Sequence, residues 1–292
     1  MPELPEVETV RRTLEARVVG RRVTSATLKR RDVLVMPGDP AGGFSRARGE
    51  GRVEYGRVRQ RDLLAGDVLG EVIRHGKQLA IVGDSGRVVC VHLGMSGNLI
   101  WRAPRARLEH AGHVHTVWRL DDGSRLVFRD PRRFGGLWAF PSLEALWASR
   151  WDALGPDAIR VRAPQLQRAL ARTDRAVKAA LLDQSVVAGV GNIYADEALF
   201  GAGVDPRRPG ASLTPAECAS LARQIRGVLA RAVTARGSTL RDYRDANGDS
   251  GAYQLAHSVY GRGGEPCPKC GGALASALVA QRTTVWCPSC QA

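Results

Sequence analysis

Four cysteines near the end of the chain constrain its fold most: Cys267-Pro-Lys-Cys270 and Cys287-Pro-Ser-Cys290, with 16 residues between the pairs. Each two-residue loop lets two thiolates meet one tetrahedral ion, and the interval between pairs is that of a two-knuckle zinc site. A reducing compartment would not keep such thiols as disulfides. About 30 terminal residues cannot build a core alone, so they are expected to close around one structural Zn2+. Four thiolates leave no open coordination position, which excludes a catalytic role for that metal. Cys90 and Cys218 sit in apolar patterns and read as small buried hydrophobes.

The remaining 262 or so residues leave room for two compact units. Composition is that of a folded protein, 44% hydrophobic and 25% charged with mean hydropathy −0.20, which excludes disordered and fibrous classes. No run of about 18 apolar residues exists, so no membrane span is expected. The acidic start Met1-Pro2-Glu3-Leu4-Pro5-Glu6 lacks the apolar stretch of a secretory signal, so a cytoplasmic location follows. The net charge is +14, carried by 39 arginines and four lysines (Lys29, Lys77, Lys178, Lys269). Such a surface gains affinity for polyanions by displacing counterions from phosphates.

Pro5 in a first turn, acidic Glu6 and Glu8, and the stripe Val7, Val10, Leu14 predict a helix over 5–17. From 20 to 140 the pattern turns strand-like. The runs are 23–28, 33–36, 79–82, 88–91, 114–120 and 126–128, with Gly83-Asp84-Ser85-Gly86 and Asp122-Gly123 as hairpin turns. That predicts a sandwich or barrel, and the Gly- and Arg-rich stretch 38–60 reads as an insertion loop. After Pro156 the character is helical: one amphipathic helix over 165–182, a helix opened by Gly189-Val190-Gly191-Asn192, and a long one from Thr214-Pro215 to about Arg236. Glycine and a helix N-terminus make 189–192 a plausible phosphate site.

The N-terminus also carries possible chemistry. Removal of Met1 would expose Pro2 as a secondary amine, and an α-amine is far less basic than lysine, so part of it is unprotonated near neutrality. Such an amine can attack an anomeric or carbonyl carbon and form an iminium, with Glu3 beside it to move protons.

Five separated motifs now stand in order. They are Met1-Pro2-Glu3-Leu4-Pro5-Glu6-Val7-Glu8, His92-Leu93-Gly94-Met95-Ser96-Gly97, Asp130-Pro131-Arg132-Arg133-Phe134-Gly135, Gly189 to Ala195, and the cysteine module with Gln281-Arg282 inside it. Together they span the chain, and the sequence resembles bacterial formamidopyrimidine-DNA glycosylase. The resemblance implies an α+β multidomain protein. Residues 1–145 would form an N-terminal catalytic β-sandwich, 146–261 a helix–two-turn–helix DNA-binding domain, and 262–292 a zinc finger. It also implies a monomer that excises oxidised purines such as 8-oxoguanine from duplex DNA and then cleaves the abasic strand by β,δ-elimination.

By the same resemblance Pro2 is the Schiff-base nucleophile, Glu3 the general acid/base, Lys77 the lysine of the β-elimination step, and Arg282 a catalytic arginine at the phosphate beside the lesion. Met95, Arg132 and Phe134 would fill the hole left by an extruded nucleotide. His113, Lys178 and Asn192 would contact DNA. Taken alone, Met95 and Phe134 read as core residues rather than wedges, and His113 as a surface or core histidine. Thr173, between Arg172 and Arg175, stands where the family has a basic phosphate contact. The loop Asn247 to Gln254 resembles the damaged-base loop, at a length that favours purines. Two other readings remain: an endonuclease VIII-like enzyme for oxidised pyrimidines, and a zinc-containing sensor of bent or nicked duplex without catalysis.

Overall fold

The computed structural model describes residues 1–36, 57–107 and 111–292 and divides them into two compact units. One unit is Met1–Pro2, Glu6–Asp152 and Ser238–Gly251; the other is Glu3–Pro5, Ala153–Gly237 and Ala252–Ala292.

The first unit is a β-sandwich. Its N-terminal helix α1 (Leu4–Val18) turns Val7, Val10, Leu14 and Val18 inward, the spacing of one helical face. One sheet has the order β1 (Val23–Leu28), β7 (Val114–Leu120), β8 (Arg125–Arg129), β6 (Asn98–Arg102), antiparallel throughout. The other runs β2 (Leu34–Val35), β9 (Gly136–Phe140), β5 (Val88–His92), β4 (Gln78–Gly83), β3 (Leu69–His75), with only the β2–β9 pair parallel. Alternate residues of both sheets, among them Val72, Leu79, Ile81, Val89, Leu99, Trp118, Leu126 and Phe128, meet in one core with the α1 stripe. Strand alternation makes this possible, since every second side chain points to the same face.

Most of the expected loop 38–60 lies outside the described residues. The described part is not free loop: Val58 packs on the core, and a 3-10 turn over Gln60–Leu63 delivers the buried Leu63, whose carbonyl accepts the Trp118 indole N–H at 2.9 Å. Segment 238–251, expected within the helical domain, clusters with the sandwich. Its backbone is bound there: Tyr243 Oη donates to the Glu6 carbonyl at 3.2 Å, and Trp101 N donates to the Ala246 carbonyl at 2.8 Å.

The second unit is helical. A short helix, α2 (Leu143–Leu146), follows β9 in the first unit; in the second, the single helix expected over 165–182 is two, α3 (Ala163–Leu170) and α4 (Val177–Leu182). Thr173 breaks it: its hydroxyl accepts the Arg175 N–H at 3.2 Å, offering the backbone a turn in place of a helical bond. Next come α5 (Asn192–Ala202) and the long α6 (Pro215–Thr234). Thr214 and Glu217 form a reciprocal capping box ahead of Pro215, as the Thr-Pro signal suggested. Leu221, Ile225, Val228 and Leu229 of α6 pack with Leu166, Leu170, Leu181 and Leu199. The chain ends in a hairpin, β10 (Ala275–Val279) and β11 (Arg282–Trp286), between the two cysteine pairs. Ala280 and Gln281 both have positive φ, as a tight two-residue hairpin turn requires.

Candidate active site and zinc centre

Glu3 is the centre of the second unit's polar architecture. Its carboxylate is buried and accepts the N–H groups of Gly191 at 2.7 Å, Ile193 at 2.9 Å and Tyr194 at 3.4 Å. These are amides of the first turn of α5, which has no side-chain cap of its own. A carboxylate from far along the chain therefore satisfies donors that every helix start leaves open, at the positive end of the dipole.

The glycines of 189–192 serve that contact. A Cβ on Gly191 would lie 2.4 Å from Glu3 Cδ, and one on Gly189, whose φ is +117°, would lie 2.6 Å from Leu4 Cδ1. The expected phosphate cradle is thus already filled by the chain's own carboxylate. Asn192 is half-buried, and its amide donates to the Thr283 carbonyl at 3.1 Å, tying α5 to the β10–β11 hairpin.

Lys178 departs from the expected DNA contact. Its ammonium has no solvent exposure, lies 2.6 Å from the equally buried Asp196 carboxylate, and donates to Thr284 Oγ1 at 2.7 Å and to the Thr283 carbonyl at 3.1 Å. An ammonium enclosed this way cannot reach a phosphate from where it stands. Burial lowers its pKa, opposed by the Asp196 charge. Burial pushes the Asp196 carboxyl up to about 6, against the pull of Lys178 and the Val285 N–H. Arg282, by contrast, is exposed at the start of β11.

In the first unit Pro2 is buried while Met1 is half-exposed. Lys77 is buried at the β3–β4 turn. Its neighbour Gln78 anchors that turn, because Gln78 Oε1 accepts from Arg150 Nε at 3.1 Å, Trp151 Nε1 at 3.3 Å and Cys90 Sγ at 3.4 Å. His92, paired across from Gln78, is pushed down to about 4 by burial and by the Lys77 and Arg150 charges, so its ring is neutral.

Met95 and Phe134 are exposed, at 39% and 44%, which removes the core alternative for both. The Arg132 guanidinium lies 4.8 Å over the Phe134 ring. Two loops are pressed together here, for a Cβ on Gly94 (φ +62°) would meet Gly135 N at 2.2 Å. The organiser is Asp130, fully buried, which accepts from Ser96 Oγ at 2.6 Å, Gly135 N at 2.7 Å and Arg132 N at 3.2 Å. His115 Nε2 meets the Asp130 carbonyl at 2.8 Å. Asp130, Ser96 and His115 were not singled out in the sequence. The Asp-Pro-Arg turn was the available signal for Asp130, whereas nothing local separates buried His115 from exposed His113, which ends a 3-10 turn just before β7.

The four Sγ atoms of Cys267, Cys270, Cys287 and Cys290 lie within 4.8 Å of one another. Four thiolates about 2.3 Å from one zinc ion are about 3.8 Å apart, so the cluster fits one structural zinc. Val259, Leu274, Val285 and Phe200 pack around it.

Comparison with known proteins covers the same ground. Residues 1–137 match the formamidopyrimidine-DNA glycosylase N-terminal domain, 153–244 the formamidopyrimidine-DNA glycosylase H2TH domain, and 264–292 a zinc finger found in FPG and IleRS. A formamidopyrimidine-DNA glycosylase of Laribacter hongkongensis is 42% identical, with all of both chains covered. The crystal structure of the MutM (FPG) protein from Thermus thermophilus is similar at TM-score 0.81 and 38% identity, covering 99% of this chain and 98% of that one. A Lactococcus lactis FPG mutant in complex with Fapy-dG containing DNA is similar at TM-score 0.84 and 30% identity, with 99% of both chains covered.

Proposed function

The chain belongs to the formamidopyrimidine-DNA glycosylase family, and from that premise we propose that it excises oxidised purines from duplex DNA and then breaks the abasic strand. The observation that carries this reading is the fixed Glu3 carboxylate, held by three α5 amides one residue from Pro2. Release of Met1 gives Pro2 a free secondary amine. Its lone pair attacks C1′ of the damaged nucleotide while the bond to the base breaks; the departing base takes a proton from solvent, and the new ammonium gives its N–H proton to Glu3. Glu3 moves a proton at the sugar ring oxygen, and ring opening leaves an iminium between Pro2 and C1′.

The iminium acidifies C2′. Loss of that proton expels the 3′ phosphate, a second elimination expels the 5′ phosphate, and water then frees Pro2. Lys77 serves the first elimination and Arg282 steadies a phosphate beside the lesion. Met95, Arg132 and Phe134 supply the apolar and planar surface that replaces lost stacking, which is consistent with their exposure. Asn192 and His113 stand as lesser DNA contacts. The zinc supplies no chemistry to the reaction; it holds the hairpin that presents Arg282. We assign the protein to the cytosol as a monomer.

The test is incubation with a duplex carrying 8-oxoguanine opposite cytosine, with borohydride added during the reaction. Scission leaving phosphates on both sides of the gap, with the trapped adduct mapped to Pro2, is expected. Glu3→Gln should abolish excision and keep DNA affinity. Scission with no trapped adduct, or full excision by Glu3→Gln, would overturn the assignment.

A further inference from the structure

At the end of the four-stranded sheet away from the Asp130 loop, the β7–β8 turn and the described residues after β6 border an open surface hollow of about 770 Å3. Four arginines line it: Arg105, Arg107, Arg119 and Arg125. Arg125 Nη2 donates to the Ala106 carbonyl and so holds the loop that carries two of the others. Arg105 has φ +63°, a strained choice for a side chain of its size. Asp122, the one carboxylate among the described lining residues, is already engaged, accepting Ser124 N at 2.9 Å and pairing with Arg21 at 3.4 Å. Among the described residues no ion pair engages Arg105, Arg107 or Arg119, all three of them exposed.

Like charges gathered around one hollow repel, and a bound anion relieves that repulsion. Guanidinium forks match phosphate oxygens two at a time, and a DNA strand offers one phosphate per about 3.4 Å of axis. β8 separates this basin from the Asp130 loop by about 14 Å, at about 3.4 Å per residue. We propose that the basin is a second DNA-backbone site, taking consecutive phosphates of duplex outside the segment that carries the lesion. It rests on the proposed function for its partner, and its role would be to lengthen the hold on undamaged DNA.

The test compares wild type with Arg105→Ala/Arg107→Ala/Arg119→Ala, leaving Arg125 to hold the loop. Binding is measured against salt on a 40-bp duplex with a central lesion and on two 10-bp duplexes whose lesion lies two base pairs from the 5′ or from the 3′ end. If each guanidinium neutralises one phosphate, the triple variant's log–log slope on the 40-bp duplex should be shallower by about 2.7, with no difference and equal excision on the short duplex whose arm of about 7 Å points toward the basin. The matching triple Arg→Lys variant should retain the wild-type slope, which separates lost charge from a damaged loop. Equal slopes on the 40-bp duplex would overturn the proposal. So would stabilisation of wild type alone by tripolyphosphate or polyglutamate without a slope change, since the basin would then serve another anion. A wild type that binds none of the duplexes would instead refute the functional reading.

Discussion

Lys178→Met separates a structural lysine from a DNA contact. The pair Lys178–Asp196 is 2.6 Å apart with neither side chain exposed. Removing one partner of such a pair leaves the other charge buried alone, at a cost of about 3–5 kcal/mol. At about 1.4 kcal/mol per factor of ten, opening of the surrounding helices should become easier by about two to three and a half orders of magnitude. Hydrogen exchange of peptides covering α4 and α5 reads this directly. The deficit should depend on pH. Burial already lifts Asp196 to about 6 against the Lys178 charge, and without that charge its carboxyl rises further. Between pH 6 and the new value, the variant's folded state holds a proton that its unfolded state has released, so its stability falls as pH rises. Below about 6 both folded proteins are protonated at Asp196 and the deficit shrinks. Lys178→Met/Asp196→Asn should recover most of the loss at pH 8. Unchanged exchange in Lys178→Met, together with a salt slope lowered by about one phosphate, would refute the buried-pair reasoning and restore Lys178 as a phosphate contact.

Gly191→Ala places a Cβ 2.4 Å from Glu3 Cδ, so the carboxylate must leave its amides; excision should fall at least about tenfold in single-turnover assays while α5 stays folded. Chelation of zinc, or Cys287→Ser, should release the hairpin bearing Arg282, seen as lost exchange protection over 264–292 and weaker binding to lesion duplex. Glu8 is raised by burial but pulled down to about 2 overall by hydrogen bonds from Arg11, Arg12 and Arg74. Its folded value is depressed, so this stabilisation is complete above about 4.5 and is lost as pH falls from there toward 2. Glu8→Gln should flatten that part of the acid-unfolding curve.

What the sequence made legible followed from local rules. The α1 stripe, the Thr214–Glu217 capping box, the β4–β5 hairpin and the two cysteine pairs each carry their signal within a few residues, and each stands in the structure. Strand β3 escaped a reading by apolar runs because Glu71 and Arg74 interrupt it, while β6 and β9 offer only Leu99-Ile100-Trp101 and Leu137-Trp138-Ala139-Phe140, poor in the β-branched residues that mark the other strands. The break at Thr173 is a hydroxyl competing with a helical carbonyl, and periodicity does not register it.

The site was legible in its residue types but not in its partnerships, and the two differ physically. A Gly-Val-Gly-Asn turn before a helix says that anion-binding amides are present. It cannot say whether the anion comes from outside or from Glu3, 188 residues away in the chain. The distinction changes the chemistry. Amides filled by a phosphate would leave Glu3 mobile, whereas amides filled by Glu3 fix one carboxylate and leave the helix end no charge to offer DNA. The same logic separates Lys178 from Arg282: both are cations in the helical unit, but Lys178 has a carboxylate at 2.6 Å and no access to solvent, while Arg282 stands exposed at the start of β11. DNA affinity in this unit therefore has to come from side chains whose charge the fold has left uncompensated, and a charge count taken from the sequence overstates it by every cation buried in a pair.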